Sequence, residues 1–573
     1  MKRLRRLSSI CAQAKRSLQT LTRLAAALPM IAGMAGLVGL TAPLQAQVCL
    51  TGSTGPDIVV WELPNLTNYS SSGGFESIAI ATTSCNVGDT NANWFGDDNR
   101  HPVIAQNLYR LRDVGGVSRF EHVGRSWVKH GFFSTNVNGC CGTCAPTPGT
   151  FLGPGCSDPY SSNRNGFQNL MGPRFPINAH TGQFSYPFSA PGHTNNLKRL
   201  EVSIADLFPT NSTPTRYFGE GHYVAADDAA AGNGNNNASY REITAFRIGT
   251  EWLFGTTGPT VVGDPAIRAW KTADPEVQET EIQLAGEGFL ILASKVTPID
   301  GGWWDYEYAL YNMNSDDSIR SFSLPVPGSV AVRNVGFHDL AYRAGDGKND
   351  INVDSTDWAD TRASGALTWQ TATFADDDNA NALRWGSLMN FRFEANAPPA
   401  PGTLTLGRYK SGLSEAVDNV DVPSAPPGLA FCAGDGTGAA CPAGSGCGAG
   451  ATGRGCLNSS GRGALLRMTG FPATGDLTAW GSGLPTRTVA VLLRSTQLAG
   501  GGNGVPFGDG LMCVGTQKDR IAAGVTLAGQ LGLSAQHAAG PGTFHYQLLY
   551  RNQKSFCTPA QFNLSNGYSV TLP

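Results

Sequence analysis

The chain has 573 residues, with 41 Lys and Arg against 44 Asp and Glu, 15% charged residues, 72 Gly, 34 Pro and 13 Cys. That length implies several domains and a core large enough to fold without special help. The slight acidic excess, which deepens once the basic N-terminal leader is set aside, argues against nucleic acid as a partner, because phosphate binding needs clustered Lys and Arg.

Residues 1–46 contain no Asp or Glu and seven cations: Lys2, Arg3, Arg5, Arg6, Lys15, Arg16 and Arg23. An apolar run over 24–40, broken by Pro29, leads to the small-residue exit Leu44-Gln45-Ala46. A positive segment, an apolar segment and a cleavable exit describe a signal peptide. The competing reading is a membrane anchor, since the run approaches the ~17–25 residues that span a bilayer. The Pro, the glycines and the exit favour removal. Arg5-Arg6 lacks the rest of a twin-arginine pattern, and Val48 stands where a lipobox before Cys49 needs a small residue. With the seven leader cations gone, 34 basic residues face 44 acidic ones, a net charge near −10. The expected address is secreted, periplasmic or on the cell surface, with no transmembrane span in the mature chain.

The cysteines beyond Cys11 fall into two sets of six. Cys49, Cys85, Cys140, Cys141, Cys144 and Cys156 lie near the front, and Cys432, Cys441, Cys447, Cys456, Cys513 and Cys557 near the back. This grouping predicts three disulfides in each of two regions, with the connectivity left open. Cys141 and Cys144 form a Cys-x-x-Cys, but no thioredoxin-like pattern surrounds it, so structural bridging is expected.

Residues 47–235 read as a loop-rich, Cys-containing β domain, ending in the Asn-Gly run 232–237. Residues 238–415 carry alternating strand-like segments, among them 281–284, 289–293, 304–311 and 367–374. The run 304–311, the turn 312–317 and the run 319–326 read as a hairpin. Segments 384–394 and 403–407 read as strands joined through a corner at Pro398-Pro399. Pro423 to Pro427 marks the next boundary. Residues 428–573 read as a Cys/Gly-rich C-terminal β domain, with strands at 489–493 and 543–550. Short β-branched and aromatic runs between turn residues predict an all-β, multi-domain chain built on β-sandwiches of immunoglobulin-like or jelly-roll type.

The segments 507–513 and 550–567 resemble a C-terminal β module of large, secreted, uncharacterised bacterial proteins. Segments 101–110, 126–132 and 155–160 are similar to the front half of such proteins. The resemblance implies secretion and no particular activity.

Candidate chemistry is sparse. His101, His130 and His222 are candidate ligands for copper or zinc, because imidazoles from separate strands can converge on one ion. No His-x-His or His-Glu-x-x-His pair supports them, and ordinary hydrogen-bonded histidines explain the same residues. Asp346, Asp350, Asn352, Asp354 and Asp357 space oxygen ligands as a calcium loop does, without the central Gly or terminal Glu of an EF-hand. A solvated turn is the plain alternative. Ser445 and Ser157 lack the nucleophile elbow and histidine that a serine hydrolase needs. Glu307 lies on an aromatic segment able to stack sugars, although buried core aromatics explain the same residues and are the favoured reading. The favoured function is a secreted binding or surface-interaction protein for an extracellular polymer, glycan or protein. The alternative is a secreted metal-dependent oxidoreductase or hydrolase with a histidine site in the N-terminal domain.

Overall fold

Antiparallel pairing organises the whole chain. The computed structural model describes residues 53–140, 142–189, 198–207, 215–300, 303–340, 345–348, 351–424, 427–472, 475–535, 540–553 and 556–573. The front region builds a ten-stranded sheet. Its order is Glu251–Val261, Ala238–Ile248, Thr215–Val224, Val103–Val114, Val117–Arg125, Leu200–Ser203, Phe75–Ile80 and Leu66–Ser72. Val128–His130 joins it beside Val103–Val114 and carries Met171–Gly172 on its other side. A smaller sheet of Ile58–Glu62, Thr82–Asn86, Cys156–Tyr160 and Val137–Asn138 packs against it. Ile58, Val60 and Cys156 from this sheet share a buried cluster with Ile104, Leu108, Leu200 and Tyr217.

The middle region is a sandwich of two five-stranded sheets. One runs Gln278–Gln283, Phe289–Ile299, Trp303–Asn312, Ser387–Ala395 and Val332–His338; the other runs Ala359–Ala363, Ala366–Gln370, Ile319–Pro325, Pro399–Arg408 and Ser414–Pro423. Their inner faces meet in a core that includes Leu292, Tyr308, Phe391, Phe322, Trp369 and Leu406. Phe322 and Phe391 stack across it, with ring centroids 4.1 Å apart.

The hairpin expected across residues 312–317 does not form. Trp303–Asn312 pairs with Phe289–Ile299 and Ser387–Ala395, whereas Ile319–Pro325 pairs with Ala366–Gln370 and Pro399–Arg408. The turn is therefore an arch between sheets. Asn312 holds it by donating from Nδ2 to Ser315 O at 3.0 Å and accepting from Ser315 N–H at 2.8 Å. Both strands need to bury an alternating apolar face, and opposing sheets let them bury it in the same core. The Pro-bearing corner at 396–399 likewise carries the chain from one sheet to the other.

The first middle sheet is covered on its other face too. Ile291, Ala309, Tyr311 and Leu388 share a cluster with Tyr109, Phe120 and Phe218 of the ten-stranded sheet. The strand Trp303–Asn312 is consequently buried on both faces from Asp305 onward.

The C-terminal region is a second sandwich. Gly428–Phe431, Phe562–Leu572, Gly542–Arg551, Val489–Ser495 and Asp519–Val525 form one sheet; Leu465–Phe471, Asp476–Ser482 and Leu531–Ser534 form the other. Leu466, Leu477, Leu492, Tyr546 and Val570 fill the space between them. All six cysteines of the back set pair, as Cys432–Cys513, Cys441–Cys456 and Cys447–Cys557. At the front, Cys85 pairs with Cys140 and Cys144 with Cys156, so the Cys-x-x-Cys serves bridging at its second cysteine. Cys49 and Cys141 lie outside the described residues, as does the predicted signal peptide. The described α-helices are four to six residues long, and none is long and apolar enough to cross a membrane.

Candidate functional site

Two of the three candidate metal histidines meet. His130 stands opposite Val103 in the sheet, which brings its ring to His101 at the strand's entry. His101 Nδ1 lies 2.7 Å from Phe95 O. A carbonyl only accepts, so this nitrogen carries the proton and His101 Nε2 carries the lone pair. His130 Nδ1, 3.0 Å from that Nε2, must then donate. The remaining lone pair of this chain sits on His130 Nε2. Phe188 stacks on the His130 ring at 3.5 Å, and Phe132 and Phe184 crowd the His101 ring. Burial, followed by the neighbouring His101 and Lys129, drives His130 down to about 2. Both rings are structural neighbours in an aromatic box, held neutral.

His222 lies on Thr215–Val224 opposite Ala105, beneath Trp385, with no partner for Nδ1 among the described residues. Among the described residues no three His, Cys, Asp or Glu side chains are arranged to hold a metal ion. The three histidines therefore do not form a common ligand set.

The calcium-like ladder does not converge either. Asp346 is buried in an ion pair with Arg125 at 2.6 Å and accepts from Arg174 N–H at 2.7 Å. Asn352 accepts from Gly345 N–H, and Asp354 caps its own turn through Thr356. Asp357 is exposed, and Asp350 lies outside the described residues. The spacing that suggested a cation instead serves turn geometry and one buried pair. Ser157 is likewise committed, donating to Val137 O, while Asp158 accepts from Trp94 Nε1 and Thr135.

Beside its apolar cluster, the contact between the front sheet and the middle sandwich holds several buried polar groups. Glu220 accepts at one carboxylate oxygen from Asn107, Tyr109 and Tyr311, and at the other from Ala266 N–H. Arg174 donates to Ser126 O, Gln106 O, Gly386 O and Asn107 Oδ1, with the Trp385 ring beside it. Burial, then repulsion from Arg125, lowers it to about 9. Glu307 pairs with Arg119 across the same contact, and burial pushes its carboxyl up to about 8. Glu220, Arg174 and Glu307 are all buried. The crevice over Arg174 and Asp346 holds only about 10 Å³, enough for about one water molecule. Buried, hydrogen-bonded polar groups of this kind specify how two surfaces dock.

The open site lies elsewhere, between the middle sandwich and the C-terminal sandwich. On Asp476–Ser482 the inward residues are Leu477 and Ala479, which leaves Trp480 on the outer face, 37% exposed. Its ring lies over Gly532 of the neighbouring strand and donates from Nε1 to Thr469 Oγ1 at 3.1 Å. Across the gap, Trp304 meets it edge to face, with ring centroids 5.8 Å apart at 86°. Trp303 stands next to Trp304, one face covered by the Arg333 guanidinium 4.0 Å away. Arg467 donates to Asn396 O at 2.9 Å and Gln530 to Asp300 Oδ1 at 2.9 Å, holding the two walls in place. The cavity so enclosed measures about 440 Å³ and includes Leu429, Met468 and Tyr568 in its wall. A second cavity of about 460 Å³, with Arg462 and Thr486, shares Arg454, Ser482 and Gln530 with the first. The two cavities adjoin, the first aromatic and the second polar, along one cleft wall. The size of the cleft suits a small or chain-like ligand.

Trp303 and Trp304 stand at the start of the aromatic segment noted in the sequence. The later aromatics are inside: Tyr306 stacks on Phe393 at 4.8 Å, and Tyr308 lies wholly within the core. Trp480 escaped notice, although an aromatic out of phase with inward Leu477 and Ala479 is a readable signal. Arg454 and Gln530 come from loops and carried none. Neither a family model nor a curated protein matches the chain, so the resemblance to secreted bacterial proteins rests on the quoted segments.

Proposed function

We propose that this is a secreted binding protein that takes a glycan in the cleft between its two sandwiches. The observation that carries the reading is the cluster of Trp303, Trp304 and Trp480, open to the cleft and bordered by hydrogen-bonding groups. Pyranose rings present an apolar face to aromatic side chains and hydroxyls to polar rims, which matches this wall. Arg454 and Arg462 at the polar end, against Asp300 alone of opposite charge in that wall, favour a glycan bearing carboxylates. The export-like leader and the five disulfides among the described residues support an extracellular setting.

The test is a tryptophan-fluorescence titration with a uronate-rich polysaccharide and a neutral one. Saturable quenching by the uronate polymer is expected, weakened about tenfold in Trp480→Ala, since an aromatic contact contributes on the order of 1–2 kcal/mol. Binding that ignores Trp480→Ala would remove the cleft from the proposal. A single firmly bound transition metal per chain in the purified protein would instead revive the metal-enzyme alternative.

A further inference from the structure

A third cavity, remote from the cleft, lies on the front domain. It measures about 330 Å³ and is lined by Lys129, His130, Phe132, Tyr160, Asn163, Arg164, Phe167 and Leu170, with no Asp or Glu among them. Lys129 is the unusual member. It sits in the short strand Val128–His130, is only 4% exposed, and pairs through its backbone with Met171 and Ile104. A buried ammonium is ordinarily neutralised by a carboxylate or bonded to carbonyls. The nearby Lys198 follows that rule, donating to Gln168 O and Met171 O. Among the described residues Lys129 has neither. Its one contact of note is the Phe167 ring, 5.8 Å from Nζ, a cation–π contact that gives the ammonium's N–H groups no protein acceptor among the described residues.

A second cation aggravates the position. Arg164, exposed at the end of the helix Ser162–Asn165, repels Lys129. Burial first and this repulsion second bring Lys129 down to about 8. Nearby His130 adds no charge, because it is held neutral. Two cations therefore approach one cavity whose wall carries no carboxylate, although buried Asp158 behind Tyr160 acts on Arg164. The rest of the wall is apolar: Phe132, Phe167, Leu170 and the ring of Tyr160, with Asn163 as a hydrogen-bonding group.

The geometry points to a binding site for a small aromatic or apolar carboxylate, its anionic head between Lys129 and Arg164 and its hydrocarbon part against Phe132 and Phe167. An inorganic anion satisfies the charges and leaves the apolar wall in contact with water. An uncharged aromatic does the reverse. A monocarboxylate with an aromatic body satisfies both, and the volume admits one such molecule.

Benzoate is the probe, measured by calorimetry and by saturation-transfer NMR on the whole protein. Saturable binding of benzoate is expected, with benzamide and inorganic phosphate each at least about tenfold weaker, the worth of a charge-assisted hydrogen bond or of a buried ring. Lys129→Met should abolish binding, and Arg164→Gln should weaken it about three- to tenfold. The second variant changes an exposed side chain, so its fold is secure if the first proves unstable. Benzoate should also protect Lys129 from reductive methylation in the unaltered protein, read by mass spectrometry. Absence of saturable binding, binding indifferent to Arg164→Gln, or phosphate binding as well as benzoate would each overturn the assignment. Trp480→Ala should leave benzoate binding unchanged, which separates this site from the cleft.

Discussion

Glu307 and His222 show how single buried groups set the pH range of this fold. Burial raises Glu307 to about 8 against the pull of Arg119, Asp228 to about 7 and Asp305 to about 6. A raised acid keeps its proton in the folded chain at a pH where the unfolded chain has lost it. Stability from these groups therefore falls as pH climbs from the ordinary carboxylate range to each raised value. The histidines act in the opposite sense. Burial lowers His130 to about 2, His222 to about 3 and His122 well below its usual value. The unfolded chain takes up those protons first, so stability falls as pH drops below about 6.5. Between about 6.5 and 8 only the carboxyls among these groups still titrate, and unfolding midpoints in urea should decline over that window. Glu307→Gln should flatten the decline by up to about 1 kcal/mol per pH unit. An unchanged slope would mean that Arg119 keeps Glu307 ionised throughout.

At the level of elements, the bridges and the cleft strands make separate claims. Residues 432–457 are rich in Gly and contain no long strand, so their order rests on the disulfides rather than on a ladder of backbone bonds. Cys441–Cys456 closes a 15-residue separation, for which chain entropy predicts about 3 kcal/mol of stabilisation. Replacing both cysteines by Ser should lower the melting temperature of the C-terminal sandwich and open 432–457 to protease, leaving the front sheets protected. The strand Leu531–Ser534 makes the other claim. A Cβ at Gly532 would stand 2.9 Å from Trp480 Cζ3. Gly532→Val should thus tilt the indole away from Trp304 and weaken glycan binding while the sandwich stays folded, as seen by circular dichroism beside the titration. Element identity was readable at Val489–Ser495 and Gly542–Arg551, where β-rich runs between turn residues mark strands. The arch at 312–317 was not, because a turn between strands looks the same whether they pair or part.

Across the molecule, the kind of contact between regions decides how they unfold. The front sheet and the middle sandwich share an apolar cluster, from Tyr109 and Phe120 to Ile291 and Leu388. They also share the bonds of Asn390 to Phe120 O and Leu388 N–H to His122 Nδ1. The C-terminal sandwich meets the middle one through the cleft walls, chiefly by Arg467–Asn396, Gln530–Asp300 and the Trp304–Trp480 edge contact. Calorimetry should therefore show the front and middle regions melting together and the C-terminal sandwich in a separate transition. Glycan should raise both temperatures, because the ligand spans the two walls.

Read alone, the order of residues was enough for the all-β class, for several strands of the middle and C-terminal regions, and for the closure of the back cysteine set among its own members. These are local or compositional matters: a period-two pattern needs no partner to be recognised, and six clustered thiols have few places to go. Which chemistry-bearing side chains meet was decided only in three dimensions. Asp346 left its acidic turn for Arg125, and Lys129 met Arg164 across 35 residues of chain. Trp480 found Trp304 from another domain. Those encounters depend on how strands are ordered within sheets and how sheets stack, and that long-range choice leaves no periodic trace in the sequence.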